Sequence, residues 1–210
     1  GNMLVSDSEF SNNQSGTGGV FYSYGNIDIM NSNFENSNST GNGGVTYIGG
    51  DFSASEVVIS SSSSGGSGGV IHSSYGDISI TNADVNESSS GGSAAFLYAG
   101  ENNSQTNLNQ LNLSNSTAGS SGGAIWTDGD ITMIDSNVDI SNSSTNGGTI
   151  YGNSYESFYF ENSNNVTQMT MSFSSGTTYT ITDVNYINGL RTALAAGQSY
   201  GTGATNNWAL

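Results

Sequence analysis

A pair of small residues followed by a short apolar strand recurs along this chain: Gly18-Gly19-Val20, Gly43-Gly44-Val45, Gly68-Gly69-Val70, Ser93-Ala94-Ala95, Gly122-Gly123-Ala124 and Gly147-Gly148-Thr149. The third residues stand 25, 25, 25, 29 and 25 positions apart. A fixed period of this length means stacked supersecondary units. The one long step is read as a local insertion near Glu101-Asn102-Asn103-Ser104, bulging at a corner between strands.

A second register runs through the same units as apolar, any residue, apolar, then an apolar residue five further on. It reads Met3/Val5/Phe10, Ile27/Ile29/Phe34, Phe52/Ala54/Ile59, Ile78/Ile80/Val85, Thr106/Leu108/Leu113 and Ile131/Met133/Val138. Alternation of period two indicates strands, and the Asn-Ser, Ser-Gly and Gly-Asp clusters between them are turn chemistry. Each unit therefore carries three short strands and three turns. Such a unit cannot bury its own apolar face, but stacking sets every strand beside its equivalent in the next coil. The expected fold is all-β, a right-handed parallel β-helix (β-solenoid) of about six to seven coils, each of about 25 residues. At about 4.8 Å between strands, the coils give a rod of roughly 30 to 35 Å. Residues 1–153 are assigned to the repeats, and 154–210 to the last coils and a C-terminal cap. In that cap Phe158/Phe160, Met169/Met171/Phe173 and Tyr179/Ile181 alternate as strands, and 189–196, between Asn188 and Gly197, reads as one short helix.

The segments Phe10-Ser11-Asn12-Asn13…Gly18-Gly19-Val20-Phe21, Phe34-Glu35-Asn36-Ser37…Gly43-Gly44-Val45 and Leu113-Ser114-Asn115…Gly122-Gly123-Ala124-Ile125 resemble the FxxN and GGAI repeats of polymorphic outer membrane proteins and related adhesin-like β-helix proteins. The resemblance covers roughly residues 3 to 153; Ile59-Ser60-Ser61-Ser62 and Val85-Asn86-Glu87-Ser88 depart from the FxxN pattern. It implies an exported surface passenger or stalk used in adhesion, without catalysis.

Composition narrows the partners. The net charge is −16 with a single basic residue, so no basic surface exists to follow a phosphate backbone or an acidic membrane. No apolar run reaches the length of a membrane helix, so direct membrane insertion is not expected. Zero cysteines exclude disulfides and thiol chemistry. Eight Asn-x-Ser/Thr sequons, at Asn13, Asn38, Asn86, Asn102, Asn112, Asn115, Asn142 and Asn165, are candidate N-glycosylation sites and fit an extracellular or cell-surface location.

In the strand after each small pair, the set Gly19/Phe21, Gly44/Thr46, Gly69/Ile71, Ala94/Phe96, Gly123/Ile125 and Gly148/Ile150 is expected to face inward. That puts Val20, Val45, Val70, Ala95, Ala124 and Thr149 outside, beside an outward aromatic stripe at Tyr22, Tyr47, His72, Leu97, Trp126 and Tyr151. An exposed stripe of this kind is a candidate contact or glycan-stacking surface. On the first strand the outward residues Asp28, Ser53, Ser79, Asn107 and Thr132 are polar and should be solvated. Asn12, Asn36, Ser61, Asn115 and Asn142 are expected to form a stacked polar ladder.

An acidic column at the turn before the first strand, Asp51, Asp77, Glu101, Asp130 and Glu156, is of the kind that calcium would neutralise, with Asp51, Asp77 and Asp130 the weak candidates. It lacks the calcium-repeat and EF-hand spacings, so no metal site and no cofactor is assigned. The outward acids Asp28, Asp128, Asp130 and Asp135 could in principle supply the carboxylate pair of a hydrolase. With Arg191 the sole cation and His72 the sole histidine, a lyase or a Ser-His-Asp site has little to build on. The expectation is therefore a non-catalytic structural or adhesive surface protein whose partners are copies of itself or another surface protein. Self-assembly into a filament through the edge formed by Met3 and Val5 is part of that expectation. The alternative is a carbohydrate-binding or polysaccharide-hydrolysing β-helix.

Overall fold

In a computed structural model of the chain, residues 1–100, 105–138 and 150–152 are described, with 158–161, 166–173, 178–184 and 208–209 described as strand backbone only. The strands form three sheets of ten, eight and five members. In the turns up to residue 138 each strand is hydrogen-bonded in parallel to its equivalent one turn on, which is the topology of a parallel β-helix. The register anticipated for the first side holds throughout: Met3 pairs with Ile27, Ile27 with Phe52, Phe52 with Ile78, Ile78 with Thr106 and Thr106 with Ile131. About five turns are complete, because the third side has five strands. Residues 139–149, with Asn142, lie outside the described residues, as does 189–196, where the helix is expected. Of the C-terminal strands, Val166–Phe173 pairs in parallel with Ile150–Gly152 and antiparallel with Thr178–Val184.

Residues in the left-handed backbone region stack in three columns, two of them at corners. Gly18, Gly43, Gly68, Ala94 and Gly122 (φ 58 to 69°) form one column, and Asn12, Asn36, Ser61, Glu87 and Asn115 (φ 51 to 57°) form a second. The third column, Asp7, Asn31, Glu56, Asn82, Gln110 and Asp135 (φ 45 to 54°), lies in the middle of the first side. Glycine adopts this conformation without steric cost and asparagine nearly so, whereas other residues lose about 1–2 kcal/mol. The third column explains the odd five-residue spacing in the sequence. In a continuous strand Ile29 and Phe34 would face opposite ways; the turn at Asn31 resets the alternation, and both are buried.

Glu56 is an exposed glutamate held in that conformation, between Asn31 and Asn82 in the same column. Asn31 already donates from Nδ2 to Asp7 Oδ1 at 2.6 Å. Glu56→Asn is expected to relieve strain and extend this ladder, raising stability by about 1 kcal/mol and the melting midpoint by about 2–4 °C. A thermal melt that shows no rise would contradict the strain assigned to this column.

The core runs along the rod as stacked rows of Ile, Leu, Val and Phe, for example Ile27, Phe52 and Ile78. At one end Phe10 stacks on Phe34 with centroids 5.1 Å apart, and Phe21 packs edge-on against both. A row the sequence reading missed lines the inside of the third side: Ser37, Ser62, Ser88 and Ser116 are all buried. Ser62 and Ser116 donate to the backbone carbonyls two residues before them, and the Ser88 and Ser116 hydroxyls lie 2.8 Å apart. Such bonds offset the cost of burying a hydroxyl.

Two expectations about facing need correction. Val45, Val70, Ala95 and Ala124 are not outward but buried, and Val20 is half-buried. At this corner two successive amides converge on one carbonyl: Val45 N–H and Thr46 N–H both donate to Val70 O, and Val70 and Ile71 both to Phe96 O. The chain bends between them, so neighbouring side chains both point inward. The fourth small-residue pair is also displaced by one position. Ala94, not Ser93, occupies the left-handed position of Gly68 and Gly122, so the corner steps are 25, 26 and 28 residues from Val45 to Val70, Phe96 and Ala124. Ser93, Ala94 and Ala95 are all small, and nothing in the sequence marks which two sit at the corner.

Apart from one residue gained between the corners at 16–20 and 40–45, the extra residues enter at another corner, between the second side and the next first side. Three residues span it at 24–26, 49–51 and 128–130, four at 74–77 and six at 100–105. The single insertion expected near Glu101 is thus two successive ones at the same edge.

Candidate functional site: an aromatic column and the groove beside it

The second side carries strands Phe21–Ser23, Thr46–Ile48, Ile71–Ser73, Leu97–Ala99, Ile125–Thr127 and Ile150–Gly152, paired in parallel. Their middle residues point away from the core and form a continuous stack of six rings: Tyr22, Tyr47, His72, Tyr98, Trp126 and Tyr151. Successive centroids lie 5.1, 4.9, 4.7, 4.4 and 6.1 Å apart, with planes within 13° of parallel. The stripe expected from the sequence is therefore present, with one correction: Leu97 is fully buried, and Tyr98 takes its place. The one-residue displacement at Ala94 causes the exchange, since Leu97 pairs with Ile71 and Tyr98 with His72.

Stacking changes what the stripe can do. Ring faces inside the column are covered by the neighbouring rings, so only edges and hydroxyls meet solvent. A sugar cannot lie flat on Tyr47, His72 or Tyr98. The end ring differs: Tyr22 is half exposed and meets Tyr24 edge-on, donating its hydroxyl proton to the Tyr24 oxygen at 2.6 Å. That bond is the main reason the Tyr22 phenol is pushed above its ordinary value.

His72 sits inside the column at 8 % exposure, between Tyr47 and Tyr98, with Nδ1 buried and unpartnered. Burial pushes the imidazole down to about 4, and the nearby Ser67 carbonyl pulls weakly in the opposite direction. The folded chain therefore binds fewer protons than the unfolded chain between pH 4 and pH 6.5. This contribution to stability is complete above pH 6.5 and is lost as the pH falls towards 4. The shift corresponds to about 3 kcal/mol. Acidification from pH 7 to pH 4 is expected to cost the native chain about that much more than it costs His72→Phe, in which the ring stack persists without the titrating group. Because carboxylates titrate in both proteins, urea unfolding of the pair at the two pH values isolates the imidazole; equal losses would refute the buried neutral ring.

The polar candidates are occupied within the fold. Asp51 Oδ1 accepts from Asp77 N–H at 3.0 Å and its Oδ2 from Asn26 Nδ2 at 3.2 Å, while Asp77 Oδ1 accepts from Gln105 N–H at 3.2 Å. These side chains bond the backbone of neighbouring coils. Gln105, not Glu101, lies in register with Asp130; Glu101 and Glu156 lie outside the described residues. Among the described residues no group of three His, Cys, Asp or Glu side chains could hold a metal ion.

The expected asparagine ladder is present between Asn12 and Asn36, whose side chains bond at 2.7 Å. Beyond them it continues through mixed partners, Ser61 to Glu87 Oε2 and Asn115 to Asn86 Oδ1. The outward first-strand residues Asp28, Ser79 and Asn107 are exposed as expected, and Ser53 bonds Asp28. Of the sequon asparagines, Asn13 has its Nδ2 buried. Asn38 bonds Asn36, Asn86 accepts from Asn115, and Asn112 donates to the exposed Asp84 carboxylate. Asn102 and Asn165, like Asn142, lie outside the described residues.

A depression of about 370 Å³ flanks the column. Tyr24 and Tyr75 stand beside it, 76 % and 47 % exposed. No family model, curated protein or solved structure matches the chain. The geometry bears out the parallel β-helix repeat architecture alone; the resemblance to polymorphic outer membrane proteins rests on the repeat motifs of the sequence.

Proposed function

We propose that this chain is a non-catalytic structural or adhesive rod of an extracellular or cell surface. One observation carries the reading: side chains that an enzyme would direct at a substrate are here committed to axial stacking, in the six-ring column and in the Asn12–Asn36 and Asp51–Asp77 ladders. Ladders of this kind add side-chain contacts between neighbouring coils at every turn, so each interface adds to the stability of the stack. The acidic charge keeps such a rod soluble and away from nucleic acid and acidic membranes.

Its partners in this reading are surface glycans, another surface protein, or copies of itself in a filament. Incubation of the purified chain with cell surfaces and with insoluble polysaccharides, together with electron microscopy over a range of concentrations, tests it. Saturable adhesion, or regular filaments, supports the rod; release of reducing sugar from any polysaccharide would replace it with the hydrolytic alternative. Single particles that adhere to nothing would end it.

A further inference from the structure

We propose that the groove beside the aromatic column binds an uncharged glycan, gripped between the rings of Tyr24 and Tyr75. This rests on the adhesive reading above and assigns it a site and a ligand class.

The groove is made by an alternation along one edge of the rod. Tyr24 occupies the first residue after its strand; the equivalent residues one and three turns on are Gly49 and Gly100, with Ser74 between them, followed by the additional residue that brings in Tyr75. Tyr24 lies over Gly49, where a Cβ would come within 3.2 Å of its ring. A Cβ on Gly100 would come within 2.6 Å of the Tyr98 ring. Glycine at these two turns therefore lets the Tyr24 and Tyr98 rings lie against the backbone, where a side chain would push them aside, and the groove runs between these rings and Tyr75.

The backbone around the groove is fixed before any ligand arrives. Gly49 N–H bonds Ser23 O, Ser74 N–H bonds Ile48 O and Gly100 N–H bonds Ser73 O, each at 2.8 to 2.9 Å. Ser73 Oγ also donates to the Tyr75 carbonyl at 2.8 Å. A preformed site loses little ordering entropy on binding.

The chemistry of the lining selects the ligand. Tyr24 and Tyr75 carry ring surface outside the column, suited to the C–H face of a pyranose. The floor consists of the edges of Tyr47, His72 and Tyr98, with the Ser74 hydroxyl donating to the Tyr47 oxygen at 2.8 Å. A wholly apolar ligand would strip water from these hydroxyls without replacing their bonds, whereas sugar hydroxyls replace them. None of the described residues lining the groove carries a charge, and the −16 charge of the chain repels acidic sugars.

Titration of the isotope-labelled full chain with cellotetraose, maltotetraose or chitotetraose, followed by amide chemical shifts, tests the site. At least one of these is expected to give saturable shifts at Ser74, Tyr75 and Gly100 with a dissociation constant on the order of 1 mM. Sialyllactose should bind no better than the neutral sugars. Tyr24→Ala and Tyr75→Ala should each weaken binding about three- to tenfold, and Leu4→Ser, at an exposed position on the first side, should leave it unchanged. Absence of saturable shifts with all three sugars, or unchanged affinity in both tyrosine variants, overturns the groove. Surface adhesion that survives both tyrosine substitutions overturns the groove while leaving the adhesive reading intact; saturable sugar binding without adhesion to any surface does the reverse.

Discussion

Phe96→Ala is expected to lower the unfolding free energy by about 3–5 kcal/mol, the largest loss from any single truncation in this core. Phe96 is completely buried at the corner where it stands in line with Val45, Val70 and Ala124. It borders an apolar void of about 10 Å³ shared with Phe34, Phe52, Ile80 and Ala83. Removing the ring would enlarge that void where the surrounding sheets, each bonded to the coils on either side, have little freedom to collapse. The melting midpoint of a chain of this size should fall by about 10 °C or more. A measured loss below about 1 kcal/mol would mean that the interior is not packed as described.

Gly44→Val is expected to prevent folding, by a different mechanism. A Cβ on Gly44 would lie 1.9 Å from the Gly69 carbonyl oxygen and 2.6 Å from that of Ser63, both backbone atoms of the next coil. Neither can move without breaking the hydrogen bonds that stack the coils. Overpacking in a core costs about 1–3 kcal/mol where side chains can give way; here backbone must yield, and a branched side chain adds further clashes. Alanine should be the milder substitution, because the column already accepts one methyl at Ala95, in register with Gly69. Soluble expression with a β-sheet circular dichroism spectrum for Gly44→Val would refute the close approach of the coils at this corner.

The fold was legible because two periodic signals coincide. The rows beginning at Met3, Ile27, Phe52, Ile78, Thr106 and Ile131 pair in the anticipated register, since apolar alternation and turn clusters each repeat once per coil. Left-handed corner residues were harder to read. Asn31 and Asn36 are ordinary occupants of such positions, but Glu56 and Glu87 are not, and Glu56 stands in the column whose backbone geometry swaps the faces. The buried Ser37, Ser62, Ser88 and Ser116 carry no hydrophobic signature: Ser62 and Ser116 bond the carbonyls two residues before them, Ser88 pairs with Ser116, and the Ser37 hydroxyl is buried without a partner.

The aromatic stripe was legible as a column but not as a stack. Spacing places Tyr22, Tyr47 and His72 on one side; whether their rings cover each other depends on side-chain torsions that sequence does not encode. Leu97 and Tyr98 are both large and adjacent, so a shift of one residue leaves the pattern unchanged. Tyr24 and Tyr75 gave no signal at all. They belong to turns of unequal length, outside any repeat, and their role depends on the missing side chains of Gly49 and Gly100.

The unequal corner lengths have an evolutionary consequence. Three, four or six residues span the same edge while the strands on either side remain in register. Mutation and length change can therefore accumulate at this edge without disturbing the heritable framework of the rod. This edge can diverge between descendants as freely as the loops of a binding domain, while the repeats that carry it stay recognisably the same.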